Sequence, residues 1–227
     1  MAWSQPTLAG VGLVEDPYKL HSAMHSHLAD CGIDGVKVDV QSALTILSGS
    51  FGGFTELARR YNQSLERSVK ENFPDNMLIN CMCHSIDNFM HFSDSVVARA
   101  SDDFYPREPH AGMPHITACA FNSVFMGPVV VPDWDMFHSV HPDAKLHAIA
   151  RAISGGPVYV SDKPGKHSPK ILRRLVLPDG SVLRGEHAGR PTRDCLLMDV
   201  QVTAAAAALD TPTWRRPRIL SRISFPF

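Results

Sequence analysis

The chain has no apolar run approaching the roughly 20 residues that a bilayer-crossing helix needs, so no membrane span is expected among its 227 residues. It also has almost no net charge, since 22 Lys and Arg stand against 23 Asp and Glu, a formal balance of -1. A nucleic-acid or polyanion binder shows a basic excess, and that class is set aside. Five cysteines (Cys31, Cys81, Cys83, Cys119 and Cys195) form an odd, unevenly spaced set. Such a set does not make a disulfide scaffold and fits a reducing compartment. The opening residues, MAWSQPTLAG, lack the basic region and long apolar stretch of a secretory signal. The expected location is cytoplasmic, with a plastid open to a longer form carrying a transit peptide. A metal centre is not expected either. One residue separates Cys81 from Cys83, where structural zinc sites favour two to four. Strand placement accounts for Cys81-Met82-Cys83-His84 without metal. His110, His115, His138, His141 and His147 are scattered and read as surface or helix-capping groups.

What is present is alternation. A chain of this size suggests one or two domains, and short apolar runs alternate with helical stretches, the pattern of a parallel α/β sheet. GVKVDV, Gly35 to Val40, reads as the first strand. A helix is predicted from Phe54 to Asn72, where Leu57, Tyr61, Leu65, Ser68 and Val69 recur at helical spacing. Pro74-Asp75-Asn76 breaks the chain, and Met77 to Cys83 reads as a second strand. Val96 to Ser101 is the third, His115 to Phe125 a helix, and Val129 to Val131 the fourth strand. Lys145 to Ile153 is helical and ends at Gly155-Gly156. Pro157 to Val160 reads as a fifth strand, and Ser168-Pro169 begins a last helix with Ser as N-cap and Pro at the first position. After Leu197 the character changes to an alanine run, Ala204 to Ala208, and a basic segment without periodicity. Residues 1–197 are therefore expected to form a partial catalytic domain, and 198–227 an irregular, poorly packed tail.

The ionisable residues gather at the carboxyl ends of these strands: Asp39, Cys83-His84, Asp102-Asp103, Asp133 with Asp135, and Asp162. A (β/α)₈ barrel builds its active site at that face. Asp39 lies in a strand otherwise made of Val, Gly and Lys, and Lys37 is two residues away on the same face. Burial of that carboxylate would require compensation, which Lys37 could supply, either as a structural ion pair or beside a sugar hydroxyl. Two carboxylates on one barrel face suit glycoside transfer, one attacking the anomeric carbon and the other serving as acid and then base.

GVKVDVQ (Gly35 to Gln41), RASDDFYPREP (Arg99 to Pro109), PDWDMFHSVHP (Pro132 to Pro142), ISGGPVYVSDKPGKH (Ile153 to His167), RRLVLPDGSVLR (Arg173 to Arg184) and GRPTRDCL (Gly189 to Leu196) resemble the plant raffinose synthase and seed imbibition family. That family includes alkaline α-galactosidases and groups with the α-galactosidase barrels of glycoside hydrolase family 36. The resemblance implies the C-terminal part of a (β/α)₈ TIM barrel, incomplete, with Asp39 as nucleophile and Asp103 as acid/base. It implies Lys37 and Arg99 as galactose contacts, Cys81 or else Cys83 in the sugar pocket, and Asp102 as the alternative to Asp103. Asp133, Trp134 and Asp135 would form a sugar platform, with Trp134 as an ordinary core residue the equal alternative. The implied partners are small carbohydrates (galactinol, sucrose, α-galactosides), with no cofactor. Galactinol–sucrose galactosyl transfer is the leading activity, with α-galactoside hydrolysis and a catalytically inactive truncated fragment as alternatives. Family members are several times longer, and about five strands of eight would leave open sheet edges.

Overall fold

A computed structural model of the chain describes residues 12–47, 52–108 and 110–197. The expected tail, 198–227, lies outside these residues. The chain divides into two compact units, Met1–Arg99 and Ala100–Phe227. The whole is a mixed α/β structure with a parallel sheet. Among the described residues no helix is long and apolar enough to cross a membrane.

The first unit opens with α1, Pro17–Asp30. Asp16 caps it by accepting the Lys19 amide at 3.0 Å, and Pro17 takes the first helical position, where its missing N–H costs nothing. No helix was expected here, because the stretch mixes polar and apolar residues around its axis. Strand β1 is Gly35–Val38, followed by a 3-10 turn at Gln41–Ala43 and a single helical turn, α2, at Leu44–Leu47. Helix α3, Phe54–Asn72, has the predicted bounds. It buries Leu57, Ala58, Leu65 and Val69 along one stripe, together with three polar residues, Asn62, Glu66 and Ser68. Strand β2, Met77–Asn80, the short helix α4, Ile86–Phe89, and strand β3, Val97–Arg99, complete the unit.

β1 pairs parallel to β2 with Gly35 opposite Met77 and Val38 opposite Asn80. β2 pairs parallel to β3 with Ile79 opposite Val97. Leu65, Val69, Phe73 and Leu78 form the core between α3 and this sheet, with Leu28, Ala29, Val36 and Val38 packed on it. Each such side chain contributes about 1.5–3 kcal/mol on burial. At Gly35 a Cβ would stand 2.4 Å from Met77 Cβ, so the first strand pair requires glycine there.

The second unit holds α5, Gly112–Met126, β4, Val131–Asp133, α6, Ala144–Ser154, and α7, Pro169–Leu172. The fourth strand lies two residues later than expected, because the amides of Val129 and Val130 turn back onto the Met126 carbonyl at 2.9 and 2.8 Å. The expected fifth strand reduces to one parallel bridge, Phe137 with Val160. Pro157 has no amide to donate, which shortens the ladder. Gly155 closes α6 at φ 74, a left-handed cap as expected. Ser168 precedes α7 but its side chain makes no capping bond. Its amide instead donates to Ser139 Oγ at 2.8 Å. The core is Phe104, Phe137, Ala144, Ala148, Ala152, Ile171 and Leu175.

Candidate active site

In the first unit the site residues stand where β1, β2 and β3 end. Lys37 and Asp39 are both exposed, so the buried ion pair that the strand pattern suggested is corrected. The strand stops at Val38, and Asp39 already belongs to the turn beyond it. There Asp39 Oδ1 accepts the Val40 amide at 2.7 Å. Arg99, at the end of β3, is 1% exposed and directs Nη1 at Cys81 Sγ, 3.7 Å away. Burial pushes the Cys81 thiol up, opposed by the positive charges of Arg99 and Lys37 and reinforced by Asp39. Burial likewise drives Cys83 up to about 12, with Cys81 adding to it. Both therefore stay as thiols at neutral pH, able to line a pocket but not to attack. An exposed carboxylate suits a nucleophile or a partner for sugar hydroxyls.

In the second unit Asp102 and Asp103 are exposed on a loop that is held locally. Ser101 Oγ donates to the Asp102 carbonyl at 2.8 Å, and the Asp103 amide donates to Asp102 Oδ1 at 2.9 Å. Just beyond, the Phe104 amide donates to Asp135 Oδ2 at 2.9 Å. The proposed sugar platform is a correction. Trp134 has no exposed surface, and its indole N–H donates to Ser123 Oγ at 3.0 Å. It is a core residue with its one polar atom satisfied, and no ring face is open to a pyranose. Asp133 and Asp135 are 0% and 1% exposed. Tyr159 Oη donates to Asp133 Oδ2 at 2.8 Å and lies 3.3 Å from Asp135 Oδ1. Asp135 thus anchors the residue that follows Asp103, and Asp133 Oδ1 in turn accepts the Asp135 amide at 3.0 Å.

The reading of the sequence missed the rest of this network. Arg151, fully buried, donates Nε to the Asp135 carbonyl at 3.1 Å and Nη2 to the Met136 carbonyl at 2.9 Å. Its Nη1 lies 2.8 Å from His147 Nδ1, and its Nη2 lies 3.1 Å from His115 Nε2. His115 and His147 are thus buried, contrary to the surface role expected of them. Burial, then the Arg151 charge, lowers His147 to about 3, so it is neutral and accepts from the guanidinium. One sequence signal was available: His147 and Arg151 are four apart on the apolar side of α6.

Among the described residues no three His, Cys, Asp or Glu side chains gather as metal ligands. Three of the four non-glycine residues there with positive φ are Val40, Met82 and Asp135, directly after Asp39, Cys81 and Trp134. Strain of this kind persists only where surrounding contacts impose it, and it concentrates at functional positions.

Comparison with known proteins adds the lineage. The family model for raffinose synthase or seed imbibition protein Sip1 matches residues 2–207. A probable galactinol–sucrose galactosyltransferase 6 of Arabidopsis thaliana is 58% identical over 195 residues, 85% of this chain and 26% of its own length. The galactinol–sucrose galactosyltransferase of Pisum sativum is 47% identical over 202 residues, 84% of this chain and 25% of its own. Stachyose synthase of Pisum sativum is 41% identical over 200 residues, 83% and 23%. Among solved structures, the α-galactosidase TtGalA of Thermus thermophilus, in complex with stachyose, gives a TM-score of 0.40 at 16% identity. It covers 70% of this chain and 36% of its own. The chain spans about a quarter of the length of these curated relatives. With a family match running through nearly all its described residues, this chain belongs to the raffinose synthase and seed imbibition protein family.

Proposed function

We propose that the chain carries the catalytic strands of a galactosyltransferase of raffinose-family oligosaccharide synthesis. It would move an α-galactosyl group from galactinol to sucrose by retaining double displacement in a (β/α)₈ barrel. The observation that carries this reading is Asp39: an exposed carboxylate just past a parallel strand, two residues after Lys37, in a chain of this family. In the first step an Asp39 oxygen attacks the anomeric carbon while Asp103 protonates the departing donor oxygen, leaving a galactosyl ester on Asp39. In the second step Asp103, now a carboxylate, takes the proton of the acceptor hydroxyl, whose oxygen displaces Asp39. The scheme requires the two carboxyls at about 5–5.5 Å. Asp103 is chosen over Asp102 because the family resemblance implies an Arg-x-x-x-Asp acid/base, a spacing that Arg99 and Asp103 match. Lys37, exposed, would meet a galactose hydroxyl, whereas Arg99 and Cys81, 1% and 3% exposed, have no surface to offer a sugar and would act only from behind the site. The proposed compartment is the cytoplasm, supported by cysteines that stay as thiols.

The test is incubation of the chain with galactinol and sucrose, with products separated by chromatography. A trisaccharide is expected, and Asp39→Asn should lower its formation by about 10³-fold or more. Galactose without trisaccharide would make the protein a hydrolase. Neither product, or an undiminished Asp39→Asn, overturns the reading for this chain.

A further inference from the structure

The turn that carries Asp39 is held against its own preference. Val40 sits at φ 62, ψ 20. A β-branched residue is a genuine outlier in that left-handed region. In the same turn the Val40 amide donates to Asp39 Oδ1 at 2.7 Å. The next residue, Gln41, is 7% exposed, which is unusual for a glutamine one turn from an open carboxylate. Its Nε2 donates to the Val38 carbonyl at 3.1 Å and to Asn80 Oδ1 at 2.8 Å.

The anchor behind Gln41 is rigid. Asn80 is 1% exposed and donates Nδ2 to Ser95 Oγ at 3.0 Å and to the Val97 carbonyl at 3.3 Å. Ser95 in turn donates Oγ to Glu66 Oε1 at 2.6 Å and its amide to the same atom at 3.0 Å. Glu66, buried on α3, takes the Ser93 amide as well. The Val38 carbonyl, which already receives the Cys81 amide at 2.8 Å, is the last acceptor of the β1–β2 ladder. Gln41 thus loops back and ties the residue after the turn to the residue before Asp39. A buried chain of hydrogen-bonded polar groups fixes one geometry more firmly than apolar packing does.

We propose that Gln41 is a positioning residue for Asp39: by bonding both Val38 and Asn80 it closes the turn from Val38 to Gln41, which holds Val40 left-handed and keeps the Asp39–Val40 peptide in the orientation whose N–H meets the Asp39 carboxylate. The Asp39 oxygen that receives this amide is fixed, so the other oxygen is aimed for attack on an anomeric carbon. The proposal rests on the reading of Asp39 as nucleophile, and its test is made without substrate so that the two stand apart. Gln41 Oε1 has no partner among the described residues, so Gln41→Met removes only the two Nε2 bonds at nearly constant shape.

Amide exchange followed by NMR on the full chain supplies the readout. In Gln41→Met the Val40 amide should exchange at least about tenfold faster, while Leu65 in α3 keeps its protection. Adding Val40→Asn, a residue that tolerates the left-handed region on its own, should recover protection at position 40 by about threefold or more. A merely structural loss would not be rescued in this way. An unchanged Val40 amide, acceleration in step with Leu65, or no recovery in the double variant overturns the proposal. If Gln41→Met fails to fold, folding of the double variant supports the proposal and its failure overturns it. Loss of galactosyl transfer in Asp39→Asn tests the role of Asp39 separately.

Discussion

Asp133 and Asp135 are carboxylates withdrawn almost wholly from water, a situation tolerated only when the charge is met by donors. Tyr159 is the side chain that meets both. Tyr159→Phe keeps the ring and removes the donor, so it should cost about 1–3 kcal/mol, read as a lower urea midpoint with unchanged slope. A midpoint within error of the parent would show that the remaining partners suffice. Position in the sequence marked these acids as strand-end residues, which the structure bears out. It did not say which would face water. Asp39 is exposed and Asp133 is not, because the hydroxyl that meets Asp133 comes from a residue 26 positions further on. Trp134 stood evenly between sugar platform and core for the same reason, since the partner that decides it, Ser123, comes from α5 and not from its neighbours in the chain.

At the scale of elements, α3 was legible because its burial stripe repeats over five turns, and local pattern and tertiary role agree. α6 was legible within one residue at either end, helped by Gly155. The strands were found but overdrawn: β1 stops at Val38 and β2 at Asn80, because both turn through left-handed residues, Val40 and Met82, that no propensity would assign there. α1 was missed although Asp16-Pro17 is a good helix start, because its buried residues are as often polar as apolar. The first strand pair is a tight contact between elements. Gly35→Ala would drive a methyl into Met77 Cβ and the Met77 carbonyl at 2.4 and 2.5 Å. Backbone cannot yield as a flexible side chain does, so a loss of at least about 1–3 kcal/mol is expected, measured as a lower melting temperature. A melting temperature equal to the parent's would mean that β1 can slide on β2 at little cost.

At the scale of the whole molecule, the response to acid is set by imidazoles sealed in while neutral. His21 stacks on His25 at 5.9 Å and meets the edge of Tyr61 at 6.4 Å. Burial, then the nearby His25, lowers it to about 4, and its Nδ1 has no partner among the described residues. His147 in the second unit lies lower still, at about 3. The unfolded chain binds protons on these groups from about pH 6.5 downward, while the folded chain does not. Stability is therefore full above that pH and is lost as pH falls toward 4, by up to about 1.4 kcal/mol per pH unit for each histidine. Urea titrations at pH 7, 6 and 5 should show this slope, and His21→Asn should flatten it; identical slopes would exclude His21 as a source. The sealed indole of Trp134 has an optical consequence. Among the described residues it is the sole tryptophan, and a ring without solvent contact emits toward the blue. With Trp3 and Trp214 replaced by Phe, the emission maximum becomes a private signal of the second unit. Laid over far-ultraviolet circular dichroism, that signal would tell whether the two halves of the chain melt together or one after the other.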